Sequence, residues 1–318
     1  MRKCLCRNLR TKNSQFLNSI KPSTDASIVF TKHRQKPLYL PKAKEVLFVV
    51  SQGRLWYNHP DKSVVTGVQT VEDNRLVFDS ISEQFDKWRA RYCKELFDFI
   101  VDTCELNKTK SCLEIGPGTG QASDFAIDTG CNYTAIELGE NMAAIMKKKF
   151  GSRSNFRIIV GDFEKYAFAP SSFDLVYSAA TIQWIEERVA YSKCFDVLKC
   201  GGYLAMFRMH SKCDPKLHRE IEEVYDTHYA VEVPYTCRFN YENGTNYGFT
   251  YLGRTDFCGE RVFTADEYVE FIKTNADLIT IREENEEPFF DGIRDVIIRH
   301  SNRIVLKDTF ILDLYQKI

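Results

Sequence analysis

The chain is predicted to fold as an α/β protein: a mostly parallel sheet covered by helices on both faces and completed by one antiparallel strand. Three observations carry this. Short apolar segments alternate with helix-periodic ones between residues 111 and 208. A glycine-rich turn, Gly116-Pro117-Gly118-Thr119-Gly120, joins the first such pair. Residues 303–315 read as strand, with no room for another helix. Strand–helix–strand repetition at this spacing implies right-handed crossovers and parallel strands, whose ligands sit at the strands' carboxyl ends.

Order begins near Leu76. Phe85, Trp88, Tyr92, Leu96, Ile100 and Cys104 recur at helical spacing, which predicts one long amphipathic helix. Ser111–Ile115 is a short buried strand, followed by the glycine turn and helical Gln121–Thr129. Tyr133–Leu138, Phe156–Val160, Phe173–Ser178 and Tyr203–Arg208 are the next strands, with Glu140–Phe150 and Ile185–Lys199 helical between them. Arg303–Lys307 and Thr309–Tyr315 read as two strands paired antiparallel, which brings the sheet to seven. Residues 211–300 are helix-prone with an aromatic middle. They read as a cap inserted over the working edge, with Glu283-Glu284-Asn285-Glu286-Glu287 a solvated turn before Pro288.

The organisation that follows is a basic, poorly structured extension over 1–70, a core over 76–210, the cap over 211–300 and final strands over 301–318. Residues 1–62 hold thirteen Lys/Arg against three acids. Their periodicity is poor, and a transit peptide is the lesser reading of them. The whole chain has a formal net charge of −1, so nothing global draws it to nucleic acid or to an anionic membrane. No apolar run reaches the length of a membrane span. The 11 cysteines form no CxxC pair and no metal-ligand pattern, which suits reduced thiols in the cytoplasm and no metal.

The chemistry-bearing residues follow the strands. In Leu113-Glu114-Ile115-Gly116-Pro117-Gly118-Thr119-Gly120, a strand enters a turn where the backbone needs positive φ or a ligand approaches without room for a Cβ. Dinucleotide sites want G-x-G-x-x-G; here the third glycine comes one residue early and Gln121 stands in its place. Glu114 is out of keeping with a diphosphate and suits a cofactor bearing ammonium and sulfonium groups. Glu137, followed by Leu138, ends the second strand, where a carboxylate can accept from two ribose hydroxyls. Asp162 can accept from an adenine amino group, and Phe163 offers the ring a flat partner.

With Phe173-Asp174-Leu175-Val176-Tyr177, this combination resembles the class I S-adenosylmethionine-dependent methyltransferases, with a Rossmann-like sheet and a type 11/25-like domain. Ser178-Ala179-Ala180-Thr181-Ile182-Gln183-Trp184-Ile185 and Phe263-Thr264-Ala265-Asp266-Glu267-Tyr268 are similar to the small-molecule branch related to trans-aconitate methyltransferases. The resemblance covers residues 76–318. It implies S-adenosylmethionine as cofactor, with Gly116, Pro117, Gly118 and Gly120 along its methionine portion, Glu137 and Leu138 at the ribose, Asp162 and Phe163 at the adenine, and Ala179 close by. Family members often carry Tyr-x-x-x-Arg-Pro ahead of the sheet. Here Phe85 and Ala90 replace the Tyr and Pro, and Arg89 keeps the arginine expected at the methionine carboxylate.

The acceptor is harder to read. Gln183 and Trp184 follow the fourth strand, where acceptors commonly sit. Tyr235 belongs to an aromatic set, with Tyr225, Tyr229, Phe239, Tyr241 and Tyr247, that either lines a pocket or forms the cap's own core. His210 is the one candidate general base, though an exposed loop histidine is the simpler reading. A carboxylate acceptor needs no base. The expected partner is therefore a small-molecule methyl acceptor, taken by a monomer or homodimer, with no membrane and no nucleic acid. Two alternatives stand beside it: an RNA- or protein-directed methyltransferase using the basic extension, and an NAD-dependent oxidoreductase, against which the early third glycine argues.

Overall fold

The computed structural model describes residues 49–51, 54–56, 74–230 and 239–318. The chain divides into two compact units, residues 1–64 and 65–318. The described part of the first is two short antiparallel strands, β1 (Val49–Ser51) and β2 (Arg54–Trp56).

The second unit is built on one seven-stranded sheet: β3 (Ser111–Ile115), β4 (Asn132–Glu137), β5 (Phe156–Val160), β6 (Phe173–Ala179), β7 (Leu198–Lys212), β8 (Phe249–Phe263) and β9 (Ile304–Lys317). Its order is β5-β4-β3-β6-β7-β9-β8. The first five strands pair in parallel, and β9 runs antiparallel between β7 and β8. The expected Rossmann-like, mostly parallel sheet with one antiparallel strand is what the chain forms.

Alternation along the strands sends side chains to two cores. On one face, Leu96 and Ile100 of α2 (Lys94–Thr103) and Ala126 and Ile127 of α3 (Asp124–Asp128) pack with Cys112, Tyr133, Tyr177 and Phe207. On the other, Ala190, Tyr191, Cys194 and Val197 of α5 (Glu187–Val197) cover Leu113, Ile115, Val176 and Met206. Leu96 and Ile100 are wholly buried, each worth roughly 1.5–3 kcal/mol of removal from water. The helix α4 (Glu140–Phe150) joins β4 to β5. A third core holds α6 (Pro215–His228), α7 (Ala265–Ile272) and α8 (Glu283–Arg299) together. Asp214 caps α6 ahead of Pro215, and Thr264 with Glu267 forms a capping box on α7.

Four expectations are corrected. The long helix is two: α1 (Ser82–Trp88) ends at Arg89, whose backbone turns extended, and α2 begins after Cys93. The break frees Arg89 to reach Thr274 and Asn275. The two terminal strands are one, because Asp308, between them, is buried against Arg261 rather than placed in a turn. The sheet's seventh strand is β8, which lies inside the segment read as a cap. The acidic run at 283–287 is helical: its carboxylates lie at the positive end of α8.

Candidate functional site

At the carboxyl ends of β3, β4 and β6 the second unit holds a cavity of about 190 Å³. The turn after β3 forms one wall. Gly116, Gly118 and Gly120 all have positive φ, at 63°, 58° and 93°, a region that L side chains enter only with strain. Their reasons differ. A Cβ on Gly116 would lie 2.2 Å from Thr181 Cγ2, and one on Gly120 2.5 Å from Met146 Sδ. One on Gly118 would meet nothing nearer than Phe85, at 3.3 Å. Gly116 and Gly120 are therefore fixed by packing, while Gly118 turns toward the cavity.

Glu137 closes the end of β4 and ties the turn to it. Its Oε2 accepts from Gly118 N and its Oε1 from Gly139 N, both at 2.9 Å. Burial pushes its carboxyl up, against the pull of those backbone N–H groups, to about 7. Each oxygen keeps a further lone pair.

Asp162, after β5, is held in a fork by Arg75, with Nη1–Oδ1 at 3.1 Å and Nη2–Oδ2 at 2.9 Å. Arg75 also reaches Glu164 at 2.7 Å. Burial tends to raise the Asp162 carboxyl, but Arg75 and the Glu164 backbone N–H together hold it below its ordinary value. Phe163 is packed in the core beside the cavity it lines.

The segment from Arg75 to Tyr92 crosses the mouth, and polar clasps fix it. Asp79 Oδ1 accepts from Met142 N at the start of α4, at 2.9 Å. Asp86 pairs with Lys149. Arg89 Nη1 donates to Asn275 Oδ1 at 2.8 Å and to the Thr274 carbonyl at 3.2 Å. Phe78 stands edge-on to both Phe85 and Trp184.

Of the residues singled out in the sequence, Arg89, Gly116, Pro117, Gly118, Glu137, Leu138, Asp162, Phe163, Ala179 and Trp184 line this one cavity. Others lie elsewhere. Gly120 sits behind the turn. Glu114 lies beneath it, fully buried: Ser123, Tyr133 and Tyr177 donate their hydroxyls to its Oε2 at 2.6, 2.5 and 2.8 Å. Glu114 thus joins the turn to β4 and β6 rather than lining the cavity. Its Oε1 is buried with no partner among the described residues.

Gln183 spends its amide on Tyr241 and the Ala180 carbonyl. His210 is not in a loop but in β7, paired with Thr309, exposed and away from the cavity. Though its surface is open, the hydration it loses in β7, and then Arg208 and Lys212, disfavour its protonated form. Tyr235 lies outside the described residues. Tyr225 and Tyr229 pack on Phe289 in the core of α6, α7 and α8, whereas Phe239 and Tyr247 stack on Tyr191 in the sheet-face core under α5, so the aromatic set divides between two cores.

The structure also brings in residues that the sequence does not single out for this site, among them Tyr92, which it marks only as part of a helical apolar stripe. Arg75, Phe78, Asp79, Arg91, Tyr92 and Met209 line the cavity. So does Ala180, a non-glycine residue at φ 53°. The alternation of β7 was the available signal for Met209, since it puts Phe207 and Met209 on one face. No local signal marks Arg75.

Residues 113–206 match the family model of a methyltransferase domain. Over 146 residues the chain is 27% identical to the malonyl-acyl-carrier-protein O-methyltransferase of Marinomonas sp. (strain MWYL1), a match that covers 45% of this chain and 53% of that one. It is 28% identical over 148 residues to a sterol 4-C-methyltransferase of Caenorhabditis elegans, covering 45% and 43%. The chain spans about half the length of the curated relatives it matches. A solved structure from Anaeromyxobacter dehalogenans, named as a type II methyltransferase, superposes with a TM-score of 0.58 at 17% identity, over 72% of this chain and 98% of that one. At that identity the likeness speaks for the fold.

Proposed function

We propose that this chain, whose core is a class I S-adenosylmethionine-dependent methyltransferase domain, transfers a methyl group to a small acidic acceptor in the cytoplasm. The observation that carries the cofactor half is Glu137. It is a strand-end carboxylate fixed by two backbone N–H groups, with lone pairs left for vicinal ribose hydroxyls. The residues present fit the cofactor. Gly116, Pro117 and Gly118 form a cradle for its methionine portion, and Arg89 is the cation for its carboxylate. Leu138 borders the ribose, Asp162 and Phe163 take the adenine, and Ala179 adjoins the cradle. Beneath the turn, Glu114 Oε1 is buried with no partner among the described residues, an orphaned acceptor on the cradle's underside.

The bound cofactor supplies an activated methyl group on a sulfonium. The chain's part is to align and to exclude water, and orientation alone provides much of the acceleration in such displacements. The Phe78–Phe85–Trp184 cluster closes the mouth. The acceptor belongs between Tyr92, Met209 and Trp184, the last of which also stands in that cluster.

No histidine, lysine or cysteine lines the cavity among the described residues. Burial holds the Tyr92 phenol well above its ordinary range, so it is a poor base. A nucleophile that is already an anion at neutral pH needs none, which favours a carboxylate. The eight described cysteines are free thiols, in keeping with a reducing compartment, and no helix among the described residues is long and apolar enough to cross a membrane.

Calorimetry with S-adenosylmethionine tests the site: Gly118→Arg and Glu137→Ala are expected to abolish binding, and unchanged affinity in both variants overturns the assignment. A screen of carboxylic acids with radiolabelled methyl donor tests the acceptor class.

A further inference from the structure

We infer that Arg261, on β8, selects the acceptor's charge, and that its free Nη1 donors bind an acceptor carboxylate at the Arg89 end of the cavity. This rests on the methyl-transfer reading above.

Arg261 belongs to an edge strand, yet its side chain is only 18% exposed. Asp308, 1% exposed, takes its Nε at 2.6 Å and its Nη2 at 3.0 Å. Ser211 Oγ and Met209 Sδ accept further from Nη2, at 3.1 and 3.6 Å. The flat face lies over Phe271, 4.6 Å from the ring centre. A guanidinium has five N–H donors. The two on Nη1 are buried and have no acceptor among the described residues. Leaving a buried donor unsatisfied costs about 1–3 kcal/mol, more for a charged one. If Arg261 served only to neutralise Asp308, those two donors would have no use.

A second observation is independent of the first. The carboxylates that line the cavity, Asp79, Glu137 and Asp162, all stand on the side of β4, α4 and β5. Toward Tyr92 and Met209, the charged lining residues are Arg89 and Arg91. Arg261 touches Met209 directly, so this end of the cavity has cations at its wall and another behind it. Arg89 reaches its polar neighbours through Nη1, to a carbonyl, a hydroxyl and an amide, none of them charged. The Arg89 and Arg261 guanidiniums stand near enough to repel; the cofactor's carboxylate offsets the charge of Arg89, and an acceptor carboxylate on the unpartnered Nη1 lies on the Arg261 side of it. Met209, unbranched and flexible, lines the cavity and touches Arg261 through Nη2, so it is the residue that separates Arg261 from the cavity.

The chemistry recognised is a carboxylate, whether on a free acid or on an acyl thioester. The probes are the straight-chain dicarboxylates from malonate to pimelate, their diamides, and their mono-thioesters with N-acetylcysteamine. They are titrated calorimetrically into the full chain saturated with S-adenosylhomocysteine. Two variants are compared with the wild type. Arg261→Lys keeps the charge opposite Asp308 but loses the fork. The double variant Arg261→Gln with Asp308→Asn removes the pair together, leaving no buried charge alone.

The expected result is binding of one or more diacids or thioester acids over their diamides. That binding weakens by about tenfold or more in both variants, with affinity for S-adenosylhomocysteine held within about twofold. Preference between free acid and thioester identifies the source of the carboxylate. The inference is overturned if no acid binds better than its diamide, or if acid binding is unchanged in a folded variant. A wild-type chain that fails to bind S-adenosylhomocysteine overturns the methyl-transfer reading itself, a result visible before any acid is added.

Discussion

Glu137 makes the cofactor assignment testable by pH alone. Burial pushes its carboxyl from an ordinary value of 4.5 up to about 7, against the pull of the Gly139 and Gly118 N–H groups. Only the ionised form can accept those two backbone bonds and two ribose hydroxyls besides. Binding through Glu137 should therefore favour the deprotonated state and weaken as pH falls through 7. At pH 6 a group of this kind is about ten parts protonated to one ionised, so affinity should drop about tenfold between pH 8 and pH 6, about 1.4 kcal/mol. The unliganded fold should respond in the opposite direction. A carboxyl raised above its unfolded value binds its proton more readily in the native state. Its contribution to stability is thus fully present below about 4.5 and lost as pH rises through about 7. The whole effect is on the order of 3 kcal/mol. Calorimetric titration of S-adenosylmethionine at pH 6, 7 and 8, with urea unfolding of the unliganded chain over the same range, measures both. Glu137→Gln, which cannot titrate, isolates the residue from all others. Parallel pH profiles for wild type and Glu137→Gln would refute the reasoning.

Four further perturbations separate structure from binding. Gly120→Ala places a Cβ against Met146 and Phe150 at φ 93°, and should cost roughly 2–3 kcal/mol, read as a lowered melting temperature. Gly118→Ala meets Phe85 at 3.3 Å and Gln121 Oε1 at 3.5 Å, so it should fold with a loss near 1 kcal/mol yet bind S-adenosylmethionine at least tenfold more weakly. Tyr133→Phe removes one of three hydroxyls from buried Glu114, and a shift in urea midpoint worth about 1–3 kcal/mol is expected. Asp79→Ala deletes the acceptor for Met142 N. It should lower stability by about 1 kcal/mol and speed dissociation of S-adenosylhomocysteine in a surface-binding assay, because Asp79 pins the segment over the mouth.

What the sequence disclosed and what it hid have a common physical cause. Strands β3, β4 and β6 lie inside the sheet and are largely buried, so they read as compact apolar runs, and the corner after β3 can be made only with glycine. The cofactor half of the cavity is therefore written in short offsets between residues 113 and 163. Strand β8 carries no such mark. Beyond the register shift at 251–253 its inward positions are Gly253, Thr255, Phe257, Gly259, Arg261 and Phe263, of which two are large apolar side chains. A Cβ at Gly259 would strike the Phe310 ring at 2.8 Å, so even an expected apolar position had to be empty. Period-two reading fails where the buried face holds glycine and an ion pair instead of a hydrophobic stripe. For the same reason Asp308 looked like a turn between two strands.

The helix break at Arg89 is hidden differently. The apolar spacing of residues 85 to 104 satisfies a single helix, and no proline or glycine interrupts it. What ends α1 is distant: Arg89 gains Thr274 and Asn275 only by leaving the helix. The acceptor end is assembled in this manner throughout, from residues 89–92, Trp184, Met209, Arg261 and Asp308, brought together by the register of β7, β8 and β9. Their spacing along the chain has no period that could be recognised. Substitutions at these positions can alter the acceptor without disturbing the glycine turn or Glu137. The domain match, which ends at residue 206, stops before Met209, Arg261 and Asp308. An acceptor inferred from that match alone therefore omits the residues that line and back the acceptor end.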